Sequence, residues 1–107
     1  MPTHTIEITV RGTDAIPPTP LPKMDFGETV QYFSKDGVVT IVFPKDSPFR
    51  TDGAVMTAIT SNDMPTIQYN GKLRVFECRC FVLLQNGTVV GWKSDPSVSG
   101  GAHNVGH

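Results

Sequence analysis

The sequence predicts a single all-β domain built as a two-layer sandwich. Three observations lead there. Ten glycines and nine prolines fall between short runs of β-branched and aromatic residues, as strands joined by turns require. No stretch sustains the 3.6-residue period of an amphipathic helix over three turns. No segment of 20 to 50 residues recurs, which excludes a solenoid or propeller, and continuous turn spacing favours a sandwich over a barrel. A chain of 107 residues fits one domain, residues 1–107, and hides roughly two thirds of its unfolded surface, enough for a core without metal or disulfide staples.

In chain order, Thr5 to Arg11 alternates strictly, with Ile6, Ile8 and Val10 on one face and Thr5, Glu7, Thr9 and Arg11 on the other. Residues 15 to 23 hold four prolines and cannot donate a full ladder, so they read as a connector crossing between sheets; the other reading is a ligand for a polyproline-binding partner. Glu28–Ser34 and Val38–Phe43 flank Lys35-Asp36-Gly37 and predict a hairpin. Pro44 to Gly53 is a polar loop, Ala54 to Thr60 a further strand, and Ser61 to Pro65 a breaker. Asn70-Gly71 and Asn86-Gly87 predict two type I′ hairpins, the first joining Thr66–Tyr69 to Leu73–Leu84 and the second joining that strand to Thr88–Lys93. Trp92, the sole indole, is expected to be largely buried on this last strand. Residues 94–107 form a loop with a short closing strand at Ala102 to Val105. Seven or eight strands result.

Nine basic and ten acidic residues give a net charge of −1 with no basic stripe, which argues against nucleic acid as a partner. The longest uncharged apolar run, Phe81 to Leu84, is far short of a membrane span, so no membrane is expected either. Met1-Pro2-Thr3-His4 lacks the basic patch and apolar stretch of a secretory signal; a cytoplasmic chain, or one already trimmed, is expected. Asn86-Gly87-Thr88 matches a glycosylation triplet, but a turn explains it. Cys78 and Cys80 share a strand face, too far apart and too parallel for an unstrained disulfide, so free thiols are expected.

Gly27 to Phe43 resembles the strand, loop and strand of the cupredoxins, small blue-copper sandwich proteins, in which Gly-Asp/Glu-Thr-Val leads to a loop, a metal histidine two residues after a glycine, and an apolar strand ending in Phe. Phe76-Glu77-Cys78 is similar to the aromatic-x-Cys around the copper thiolate. The pattern of the resemblance spans about residues 5 to 93 and implies a two-sheet Greek-key sandwich, with position 39 and Cys78 meeting at one end. Two departures stand out. Val39 occupies the place of the histidine, and Arg79 to Leu84 continue as strand where the family has a histidine and often a methionine. A blue-copper site needs two imidazoles and a thiolate on one ion, so the resemblance implies the shell with the copper site not retained and no cofactor. Phe43 to Phe49 is similar to a segment in small bacterial proteins of unknown function with that shell.

Other candidates for chemistry are few. His103 and His107 stand four apart, near two glycines that disfavour helix, and read as a frayed tail able to hold at most a weak surface metal ion with His4 or the terminal carboxylate. Cys78 and Cys80 lack a second Cys-x-Cys for zinc and read as core residues, on one face with Phe76 and Val82; Val75, Glu77, Arg79 and Phe81 take the other. All three histidines lie within five residues of a terminus, which argues against a rigid nucleophile–histidine pair and hence against an enzyme. The expected function is a non-catalytic module that binds another protein or serves structurally. Its candidate surface is Ser47, Pro48, Phe49 and Arg50, unless Phe49 instead plugs the sandwich end. The alternative is a metal-binding or electron-transfer protein using Cys78 with histidines.

Overall fold

In a computed structural model, which describes residues 2–107, the chain is all-β, with no helix among the described residues. Among the described residues eleven strands are present, more than the seven or eight expected: Thr5–Arg11 and Ala54–Thr60 each break in two, short strands form at Asp14–Ile16 and Arg50–Thr51, and Thr66–Tyr69 makes only isolated bridges. The first break accompanies a change of partner. β1 (His4–Glu7) runs parallel to β4 (Val30–Phe33), whereas β2 (Thr9–Arg11) turns away to pair with β3 (Asp14–Ile16). The predicted alternation survives the break, with Ile6 and Ile8 buried and Thr5, Thr9 and Arg11 exposed.

The largest sheet is organised by β9 (Arg74–Leu84). On one side its later half pairs with β5 (Gly37–Val42), which in turn pairs with β8 (Ala58–Thr60). On the other side β9 pairs with β10 (Val89–Val90) and, along its first half, with β11 (Gly100–Val105). The β1–β4 pair is extended by bridges from Thr29 to Thr66 and from Phe49 to Ile67. A single apolar cluster lies beneath these elements, including Ile6, Val30 and Tyr32 from β1 and β4 and Val39, Ile41, Phe76, Cys80 and Val82 from β5 and β9. Alternation places those side chains on one face of each strand.

Several expectations need correction. Lys35-Asp36-Gly37 does not close a hairpin, since β4 pairs with β1 and β5 with β8 and β9, so this turn carries the chain between sheets. Asn70-Gly71 is no hairpin either, because residues before it hydrogen-bond to Gly27, Glu28 and Pro48 rather than to β9. At Asn86-Gly87 the hairpin is present, but only Gly87 has positive φ (89°), which rules out a type I′ turn. Positive φ at two successive turn residues occurs instead at Asp52 and Gly53 (52° and 80°), between β6 (Arg50–Thr51) and β7 (Ala54–Val55). Of the connector expected at residues 15 to 23, Ala15 and Ile16 belong to β3, whereas Pro17 to Lys23 form no strand, as the prolines require, and the chain then bridges from Met24 to Val105. Trp92 is 58% exposed because Gly91, at φ 97°, ends the strand before it.

Register also separates the two positions that the cupredoxin resemblance brings together. Val39 opposes Val82, four residues along β9 from Cys78, or about 13 Å at the usual rise per residue. Both are buried, but they do not meet.

Candidate functional site

Two regions of the β9 sheet carry chemistry, one on each face. On the inner face, Cys78 pairs with Gly101 and Phe76 with His103, so Cys78 and His103 are diagonal neighbours across the β9–β11 ladder. Diagonal Cβ atoms lie about 7–8 Å apart, which a cysteine and an imidazole span. His103 is 1% exposed, not part of a frayed tail, and its ring lies edge-on to Tyr32 and close to Phe43. Its Nε2 is 3.0 Å from the Tyr32 hydroxyl, while Nδ1 is buried without a hydrogen-bond partner. Tyr32, from β4, brings the opposite layer into this cluster.

The thiols polarise one another. Cys78 is held below its ordinary value, first by hydrogen bonding from the Cys80 thiol and then, against the effect of burial, by His103. Cys80 is pushed up by Cys78 and by burial. Both cysteines are free, as expected. Burial, with the two thiols adding to it, pushes Tyr32 well above its ordinary value, so the phenol keeps its proton at neutral pH.

Among the metal candidates, the structure thus brings Cys78 and His103 together and leaves His107 apart. His107 is exposed, within 2.9 Å of Asn70 Oδ1 and 3.3 Å of Asp25 Oδ1. His4 is paired with Glu28 at 3.0 Å. Among the described residues no group of three or more His, Cys, Asp or Glu side chains gathers as a metal site would require.

The outer face of the same sheet differs from what alternation ordinarily gives. Val38, Leu83 and Val89 stand side by side across β5, β9 and β10, 43%, 46% and 41% exposed. Half-buried Val42 and Phe81 and exposed Ala58 extend this apolar surface toward β8. One cation sits in it. Arg79 lies 5.6 Å over the Phe81 ring, and its Nη2 donates to the carbonyls of Gly91 and Ser94 at 2.9 and 3.1 Å. Arg79 pins the segment after β10 and lines a cleft of about 600 Å³ at the edge of the sheet that also reaches Cys78, Pro44, Pro96, Gly100 and Gly101. Gly100 has no room for a side chain, since a Cβ there would meet the carbonyl oxygens of Pro96 and Cys78.

Ser47, Pro48, Phe49 and Arg50, expected to form an interaction surface, lie largely inside. The first three are buried and Arg50 is half-buried. The cause is local bonding. Asp46 accepts from the Ser47 amide, the Ser47 hydroxyl accepts from the Phe49 amide at 3.0 Å, and Phe49 packs edge-on against Phe43 at 5.8 Å. The Asp46 carboxylate holds Arg74 at 2.8 Å.

Sequence reading missed Tyr32 and the place of His103. The signal for His103 was the alternation within 102–105, with His103 and Val105 facing in and Ala102 and Asn104 facing out. It also missed the outer apolar row, whose signal was apolar residues on both faces of Val38–Phe43 and Phe76–Leu84.

Comparison with known proteins returns no matching family model, no matching curated protein and no matching solved structure.

Proposed function

We propose that the chain is a non-catalytic, cupredoxin-like Greek-key β-sandwich whose outer sheet face docks a protein partner. The shape reading rests on the resemblance of residues 27 to 43 and on burial of one face of each strand between layers. The docking reading rests on a single observation, the row Val38, Leu83 and Val89 standing exposed in register across three strands. Contiguous exposed apolar surface of this kind marks contact sites in soluble proteins. The partner's chemistry follows from the face. It is flat and apolar, with an acceptor such as a carboxylate opposite Arg79, whose Nη2 alone is spent on Gly91 and Ser94.

The test is affinity capture with wild type, Leu83→Lys, and Thr5→Lys as a control in the other layer. A protein held by wild type and Thr5→Lys, lost with Leu83→Lys, and binding again when purified supports the reading. Sedimentation of the purified chain covers self-association, and a dimer abolished by Leu83→Lys would make that partner a second copy. Capture unchanged in all three, with a monomer throughout, would overturn it.

A further inference from the structure

The buried cluster beneath Gly101 has a chemistry that the docking face does not use. Gly101 opposes Cys78 across the ladder, and a Cβ on Gly101 would lie 3.9 Å from Cys78 Sγ but only 2.8 Å from Leu21 Cδ1. Leu21 of the proline-rich strap therefore packs against Gly101 where a side chain would sit, and no side chain of residue 101 covers the thiol. Cys78 itself lines a cleft of about 600 Å³ with Pro44, Pro96, Gly100 and Gly101, so the thiol is reached past the two glycines. Behind the thiol stands His103, 99% buried, with Nε2 occupied by Tyr32 and Nδ1 unpartnered. A buried nitrogen without a partner needs a reason, and a neighbouring thiol proton supplies one.

We infer that Cys78 is a modification site: a thiol, served by His103, that exchanges with small disulfides admitted through the cleft that Cys78 lines beside Gly100 and Gly101. The arrangement assigns each atom a part. The step requires the His103 tautomer protonated at Nε2, which donates to the Tyr32 oxygen 3.0 Å away and leaves the Nδ1 lone pair to take the Cys78 proton. The thiolate attacks one sulfur of the disulfide; a new Sγ–S bond forms as the old S–S bond breaks. The departing thiolate recovers the proton from the imidazolium and leaves as a thiol. Cys78 sulfur is oxidised and the departing sulfur reduced, so no further oxidant enters. Cys80, beside Cys78 but pushed up, keeps its proton and does not compete. The lowered Cys78 value agrees with this division of roles.

The probe is 2-hydroxyethyl disulfide, a neutral reagent, followed by intact mass and by rate against pH. Wild type and Cys80→Ser should gain one mercaptoethanol adduct, Cys78→Ser none, and the rate midpoint should lie below the ordinary thiol value of 9.0. His103→Gln should slow the reaction at neutral pH by about tenfold or more and move the midpoint up. Should that variant fail to fold, Tyr32→Phe, which frees Nε2 while keeping the ring, should also shift the midpoint. An adduct on Cys80, an ordinary midpoint in wild type, or a rate equal to that of global unfolding by hydrogen exchange would overturn the assignment. So would a midpoint unmoved in a folded His103→Gln or, where that variant does not fold, in Tyr32→Phe.

Discussion

The two faces of β9 share a backbone and differ in what their side chains are for. Phe76, Cys78, Cys80 and Val82 face inward and are buried, joined by His103 from β11 and Tyr32 from β4. Val75, Glu77, Arg79, Phe81 and Leu83 face outward; Val75 and Leu83 are exposed and Phe81 is half-buried, so apolar side chains stand at the surface beside the two charged ones. An inner apolar side chain is accounted for by folding alone. An outer one is not, because folding leaves it in water. The face with the ordinary pattern therefore informs about stability, and the face that departs from it informs about contact.

The largest expected effect is on the inner face. Phe76 is 1% exposed, packed edge-on against Tyr69 at 5.2 Å and covered by the Arg74 guanidinium at 4.6 Å. Phe76→Ala should lower unfolding free energy by about 3–5 kcal/mol in urea denaturation. A loss under about 1 kcal/mol would mean that the two faces do not divide in this way.

Next comes Val39→His, which sharpens the comparison along the inner face. An imidazole among buried apolar side chains without a partner should cost about 1–3 kcal/mol. Because Val39 opposes Val82 rather than Cys78, added Cu²⁺ should restore none of it once His107 is replaced by Ala. A copper-dependent rise in melting temperature confined to the variant would place position 39 and Cys78 together after all.

The smallest effect belongs to neither face and provides a baseline. Glu28 lies below its ordinary 4.5, chiefly through its hydrogen bond with His4 and also through the Asp25 amide. A carboxylate lowered on folding contributes stability that is complete well above 4.5 and declines as pH falls through 4.5 toward the lowered value. Glu28→Gln should lower stability slightly at neutral pH and leave it nearly unchanged below that window, so that the acid limb of the stability curve flattens. An acid limb identical to wild type would remove Glu28 from the account.

Much of this architecture was legible locally, and what was not is non-local. Alternation assigned the inner and outer residues of β9 correctly, because burial of one strand face repeats every two residues. Asp36-Gly37 announced a turn, but a turn motif does not say whether its flanking strands pair, and here they separate. Gly100 and Gly101 suggested a loop. They sit in a strand paired with Arg79 and Cys78, and are glycine because side chains there would strike Pro96 and Cys78 carbonyls or Leu21, contacts made across long sequence separations. The candidate site was obscured for the same reason, since Tyr32, Cys78 and His103 come from three strands whose pairing no local pattern records. Ser47-Pro48-Phe49 misled in the opposite direction, as a polar loop closed on itself by the Ser47 hydroxyl and buried its aromatic ring.

The claim that the outer row serves contact rather than folding is tested most directly by urea denaturation of the triple variant Val38→Thr, Leu83→Thr, Val89→Thr. Threonine keeps strand propensity while removing apolar surface. The expected unfolding free energy lies within about 1.5 kcal/mol of wild type, the sum of three ordinary surface replacements. A loss of about 3–5 kcal/mol, the size expected for Phe76→Ala, would contradict it and return the row to the core.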